Sequence, residues 1–130
     1  MTRWIFVFLL TSLLSCTNKT TLNPEGGDVL ESSATLRGDN LPVDGCNAHL
    51  WLMTDGTSSD SRTYIRLPTP ATRPLMDRLI QAEVAASGNG YWMGSKDVTI
   101  RYRETGQTTT LQCGWGATQQ VKTIELLDIR

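Results

Sequence analysis

The chain has 130 residues, 39% of them hydrophobic, with 12 Lys and Arg against 13 Asp and Glu and a formal net charge of −1. That length suits one compact domain. So even a charge balance, with no polybasic stretch, excludes binding to nucleic acid or anionic lipid through bulk electrostatics. The first predicted element is an export signal over residues 1–15. Arg3 supplies its positive end, and Trp4-Ile5-Phe6-Val7-Phe8-Leu9-Leu10 with Leu13-Leu14 its apolar run. Crossing a hydrocarbon core takes roughly 20 apolar residues. The run is shorter, and no stop-transfer cluster of Lys or Arg follows it.

The run closes on Leu13-Leu14-Ser15-Cys16. This resembles the lipobox of bacterial lipoproteins, in which an aliphatic residue, a short or aliphatic residue and a small residue precede an invariant cysteine. The resemblance covers residues 1–16. It implies cleavage between Ser15 and Cys16, a diacylglyceryl thioether on Cys16 and acylation of the new amino group. A thiol is required there because a thiolate is nucleophilic enough near neutral pH to take the lipid. Two or three acyl chains, at about 0.8 kcal/mol per buried methylene, hold a protein at a membrane essentially permanently. The competing reading is an ordinary cysteine beside a conventional cleavage site. Thr17 stands where an enterobacterial lipoprotein retained at the inner membrane has Asp, which implies the periplasmic face of the outer membrane.

Residues 16–33 come next, the lipidated cysteine and a segment rich in Thr, Asn, Pro, Gly and acid that buries little apolar surface and reads as a tether. From Ala34 to the end, period-two alternation predicts a β domain. Ala34–Gly38 is an opening strand, followed by turn-rich residues 39–45 and a second strand over Asn47–Met53. Asp55-Gly56 and a Ser/Thr run precede a third strand, Arg62–Leu67, with Thr63, Ile65 and Leu67 on one face and Arg62, Tyr64 and Arg66 on the other. Residues 72–86 predict a short helix, with Pro74 in its first turn and Leu75, Leu79 and Ile80 on one face. Gly88-Asn89-Gly90 and Tyr91-Trp92-Met93 lead to a strand over 98–103, with Val98, Ile100 and Tyr102 inward. Glu104-Thr105-Gly106-Gln107 reads as a hairpin turn into Thr108–Cys113. The last strand, Val121–Ile129, slips its alternation near Leu126-Leu127, which suggests a bulge.

Three strands, a helix and further strands within residues 34–130 give the order of a small OB-like barrel of five or six strands, with the helix between strands three and four. An antiparallel α+β sheet with one helix is the alternative. The opening strand, Cys46 before a strand, Cys113-Gly114-Trp115-Gly116 and the closing VKTIELLDI also resemble a group of small uncharacterised lipoproteins of Gram-negative bacteria. This likeness covers about residues 34–130 and departs in the insert around 68–96. In that group a cysteine after the first strand pairs with one before the last, and no activity is assigned.

With Cys16 lipidated, Cys46 and Cys113 remain as an even pair in an oxidising compartment, which predicts a disulfide. The rival roles, reactive thiol or metal ligand, lack a CxxC spacing and nearby histidines. His49 is the sole histidine, and no nucleophile or orienting acid is identified beside it, so no catalytic residue, metal or other cofactor is expected and the chain reads as a non-enzyme. Arg37-Gly38-Asp39 reads as a strand end and a turn. Arg37, Arg62, Arg66, Arg101 and Arg103 fall on polar strand faces, as on any solvated sheet. Tyr91, Trp92 and Trp115, flanked by glycines, are the candidate ligand contacts; capping a barrel end would explain them equally. The expected function is a membrane-anchored envelope module that binds an envelope glycan or protein, or serves structurally, without nucleic acid. The alternative is a periplasmic inhibitor or accessory protein of an envelope enzyme.

Overall fold

The computed structural model describes residues 27–40, 45–53 and 64–130. The export signal, Cys16, most of the tether, Arg62 and the predicted turns over 41–44 and 54–63 lie outside the described residues. Five strands and one helix follow in chain order: β1 (Leu30–Arg37), β2 (His49–Leu52), β3 (Ile65–Pro68), α1 (Arg73–Ser87), β4 (Ser95–Gln112) and β5 (Thr118–Ile129). The fold is mainly β. The strands join in the order β1-β2-β3-β5-β4, and β4 returns to β1 to close the ring. Every pairing is antiparallel except β3 with β5, which run parallel.

Alternation explains the main core. Ala34 and Leu36 of β1, Leu50 and Leu52 of β2, Val98, Ile100 and Tyr102 of β4, and Ile124 and Leu126 of β5 all point into the ring and are buried. α1 closes one end. Pro74 sits in its first turn, where a missing N–H costs nothing, and Gly88 ends it at φ 70°. Its apolar face puts Met76 fully inside, with Leu75, Leu79 and Ile80 packed beside it. The N-terminal turn is tied to the sheet, since Leu126 N–H donates to Thr72 Oγ1 at 3.1 Å and Thr69 N–H to the Ile124 carbonyl at 2.8 Å. Among the described residues no helix is long and apolar enough to cross a membrane.

Three expectations are corrected, and a fourth holds. β1 begins at Leu30, so Leu30 to Ser33 belong to the sheet and not to the tether; they pair with β4 alone, while Ala34 to Arg37 pair on both sides. Glu104–Gln107 makes no hairpin. β4 runs through it as an irregularity against continuous β5, with Gly106 at φ 73° and the Thr105 hydroxyl donating to the Thr123 carbonyl at 2.9 Å. One long strand therefore replaces two, and the strand count is five. Arg66 is not on a solvated face: it is buried, its Nε 2.9 Å from Glu104 Oε1 and its Nη1 donating to the Ile65 carbonyl. The expected bulge near Leu126-Leu127 is present, because Tyr102 pairs with Leu126 and Arg101 with Asp128, leaving Leu127 as the extra residue.

Arg66 is buried because β3 is covered on both faces. Inside lies the main core. Outside, the far half of the β4–β5 hairpin lays Leu111, Cys113 and Val121 over Ile65 and Leu67, with Cys46 and Trp51 partly buried at the edge. The Cys46–Cys113 disulfide belongs to this second cluster and spans 67 residues of sequence.

Candidate binding surface at the disulfide-linked loops

The disulfide ties two connections together, the one between β1 and β2 (residues 38–48) and the one between β4 and β5 (residues 113–117). Backbone bonds reinforce the link. Gly114 N–H donates to the Gly45 carbonyl at 2.7 Å, Asn47 N–H to Gln112 at 2.9 Å, and Cys113 N–H to Ala117 at 2.8 Å. Residues 114–116 then make a single tight turn, with Trp115 in the left-handed region at φ 58°, ψ 26° and Gly116 following at φ 70°. A tryptophan in that region is strained by roughly 1 kcal/mol or more. Trp115 is also 92% exposed. The fold holds the largest side chain type out in solvent, on a turn fixed by a covalent clamp.

The other candidates separate. Tyr91 is 56% exposed, but Trp92 packs on the main core. Its ring fills space left by two glycines: a Cβ on Gly38 would collide with the Trp92 carbonyl and lie 2.9 Å from its ring, and one on Gly94 would lie 2.6 Å from Nε1. Gly38 N–H donates to the Gly94 carbonyl at 2.8 Å. The loops carrying Trp92 and Trp115 therefore meet the β1–β2 connection near its two ends, Trp92 as a packed side chain and Trp115 as an exposed one.

Sequence reasoning missed a third aromatic feature. On the outer face of β1 and β2, Thr35 lies opposite Trp51 and Arg37 opposite His49. The Arg37 guanidinium sits 5.7 Å from the Trp51 ring centre, and Tyr64 stacks on the same indole at 6.4 Å and 22°. Period-two spacing places Trp51 and Arg37 on polar faces, but their pairing depends on the β1–β2 register. His49 is buried, and its Nδ1–H donates to the Asn47 carbonyl at 2.8 Å. Burial, aided by the Arg37 charge, pulls its pKa below the ordinary value of 6.5 against that hydrogen bond.

A concavity of about 620 Å³ lies where the chain enters β1 and is bordered by Gly27, Thr72, Arg103, Glu104 and Glu125. Its charged groups are engaged in ion pairs, Arg103 with Glu125 at 3.0 Å and Glu104 with Arg66. No protein-family model matches the chain, and no curated protein or solved structure is significantly similar to it.

Proposed function

We propose that this chain is a lipoprotein of the cell envelope, anchored through Cys16, whose OB-like barrel acts as a non-enzymatic binding module through the disulfide-linked loops. Support for the barrel type comes from the strand order, the parallel β3–β5 pair and the helix between β3 and β4. In OB barrels the loops after the first and fourth strands border the ligand face. These are the two loops that Cys46 and Cys113 join here. The observation that carries the reading is Trp115, exposed in a strained turn that packing does not require. Strain and exposure that bring no burial in return are features of contact residues. Support for the anchor is Leu13-Leu14-Ser15-Cys16 and its likeness to the lipobox, with the periplasmic face of the outer membrane as the location.

Two measurements test the proposal. The intact mass of membrane-extracted protein is expected to show diacylglyceryl and acyl groups on Cys16, and a gain of two hydrogens on reduction. A freely soluble product with an unmodified Cys16 would remove the anchor. A photo-crosslinker at position 115 in living cells is expected to trap an envelope component that one at Gln81, exposed on α1, does not. Identical patterns at both positions would remove the contact surface. The projecting turn also suits a second reading, an accessory or inhibitor that seats Trp115 in an enzyme cleft; a crosslink to an envelope hydrolase would favour it.

A further inference from the structure

We propose that the outer face of the β4–β5 hairpin, together with Trp115, is a platform for an uncharged glycan chain of N-acetylated hexosamine type. The inference rests on the contact reading above and names the ligand class. The far half of the hairpin has two unlike faces. Leu111, Cys113 and Val121 turn inward. Thr108, Thr110, Gln112, Thr118, Gln120 and Lys122 are all exposed, and their register sets Thr108 beside Lys122, Thr110 beside Gln120, and Gln112 beside Thr118. Gln120 Nε2 donates to Thr110 Oγ1 at 2.8 Å across the strands. The result is a flat ladder of hydroxyls and amides that leads to the Trp115 turn.

Scarcity of charge selects the ligand, since Lys122, in the pair farthest from the Trp115 turn, is the one charged member of the six. From Thr105 to Val121 no residue is charged, the longest such run in a chain that is 19% Asp, Glu, Lys and Arg. Such a face offers little to an anionic polymer or to a charged peptide. Hydroxyl and amide groups both donate and accept, as do the hydroxyl and acetamido groups of an amino sugar. The indole provides a flat apolar surface for the C–H face of a pyranose ring. Its turn is already fixed by the disulfide and by backbone hydrogen bonds, so little ordering is left for binding to impose. A protein partner is matched less well, because the other exposed large apolar residues among the described ones, Val29, Leu30, Met53 and Tyr91, belong to other segments and Trp115 stands among neutral polar groups.

Position argues against the lipid surface as the occupant. The chain enters the fold at the Leu30 end of β1, whereas the disulfide-linked loops follow its Arg37 end. Seven residue steps at about 3.3 Å each separate those ends by roughly 23 Å along the strand. An anchor at Cys16 therefore joins the barrel at the end of β1 remote from Trp115.

The test is a calorimetric titration of the full exported protein in detergent with an N-acetylglucosamine hexamer. Binding is expected, insensitive to added salt because no ion pair forms. Trp115→Ala is expected to weaken it at least tenfold, as is the double variant Thr110→Val with Gln120→Leu, while Gln81→Ala on exposed α1 leaves it unchanged. Unaltered thermal midpoints would show that the variants fold. No binding to the hexamer, a change under twofold in Trp115→Ala, or affinity that falls with salt would each overturn the proposal. If the hexamer fails but position 115 still crosslinks in cells, the ligand class is wrong and the contact surface stands; if both fail, both fall.

Discussion

Trp92 and Trp115 look alike in sequence, each an indole set among glycines, and the structure uses them in opposite ways. Gly38 and Gly94 matter to Trp92 because they lack a Cβ: the ring and backbone of Trp92 occupy the space that side chain would need. Gly116 matters to Trp115 because of its backbone. Nothing lies within 4 Å of where its Cβ would be, but its φ of 70° completes a turn that holds the indole outward. A glycine near an aromatic residue thus has two physical meanings, room for packing or freedom to turn. The first adds buried area, and the second supports exposure with no gain in burial.

The disulfide gives the largest way to break this contrast. Cys46→Ala with Cys113→Ala frees a 67-residue separation, which on the chain-entropy model lowers stability by about 4 kcal/mol. Urea unfolding is expected to show a correspondingly lower midpoint. Hydrogen exchange under native conditions is expected to rise first at Gly114 and Cys113, whose amides bond to Gly45 and Ala117, and not at Gly38, whose amide bonds to Gly94 beside Trp92. Equal loss of protection at both places would mean that the two loops form one unit and the contrast is false. The next largest effect belongs to Trp92→Ala, which leaves a void against the main core and is expected to cost about 3 kcal/mol. Gly38→Ala attacks the same contact from the other side, at roughly 2 kcal/mol by overpacking.

Much of this architecture is legible in sequence because local alternation encodes it. Val98, Ile100 and Tyr102 follow the period-two rule, Pro74 and Gly88 bracket α1 to within about a residue of expectation, and the doubled leucine marks the bulge at Leu127. The failures share one cause, a contact supplied from far away in the chain. Arg66 alternates like a solvated residue, but it lies opposite Leu50, whose side chain points into the ring, and its guanidinium is paired with Glu104. Glu104–Gln107 has turn chemistry, but β5 stays paired on both sides of it, so the strand does not reverse. Glu31, Ser32 and Ser33 look like tether because they are polar and their place in the sheet comes from β4, about 70 residues further along the chain. In the candidate surface, Trp115 could be named from its glycines. Its exposure and the packing of Trp92 could not, since the partner Gly38 lies in another loop.

His49 tests the connection that both tryptophan loops touch. Its folded pKa is depressed below 6.5. Between the folded and unfolded values the unfolded chain therefore binds more protons, so stability is full above about pH 6.5 and is lost as pH falls through and below that value. The thermal midpoint is expected to drop on acidification across this window, and His49→Gln is expected to flatten that part of the profile. A midpoint that rose on acidification would show that His49 is charged in the fold. Trp92 fluorescence is expected to follow the same profile because Gly38 adjoins Arg37, the residue paired with His49.

The smallest effect on stability belongs to Trp115→Gly, and it sharpens the contrast most. Removing this side chain gives up almost no burial, because the indole is 92% exposed. It also relieves a left-handed φ of 58°, which glycine adopts freely. Relief of about 1 kcal/mol is offset by the greater freedom that glycine has in the unfolded chain, so the net change is expected within about 0.5 kcal/mol of zero. Trp92→Gly removes the same atoms and is expected to be at least as costly as Trp92→Ala. If Trp115→Gly unfolds at the wild-type denaturant midpoint and no longer binds the hexamer or crosslinks, the indole contributes to contact and not to the fold. A loss of stability comparable to that at Trp92 would place Trp115 among the packing residues, and the strained turn would then need no ligand to account for it.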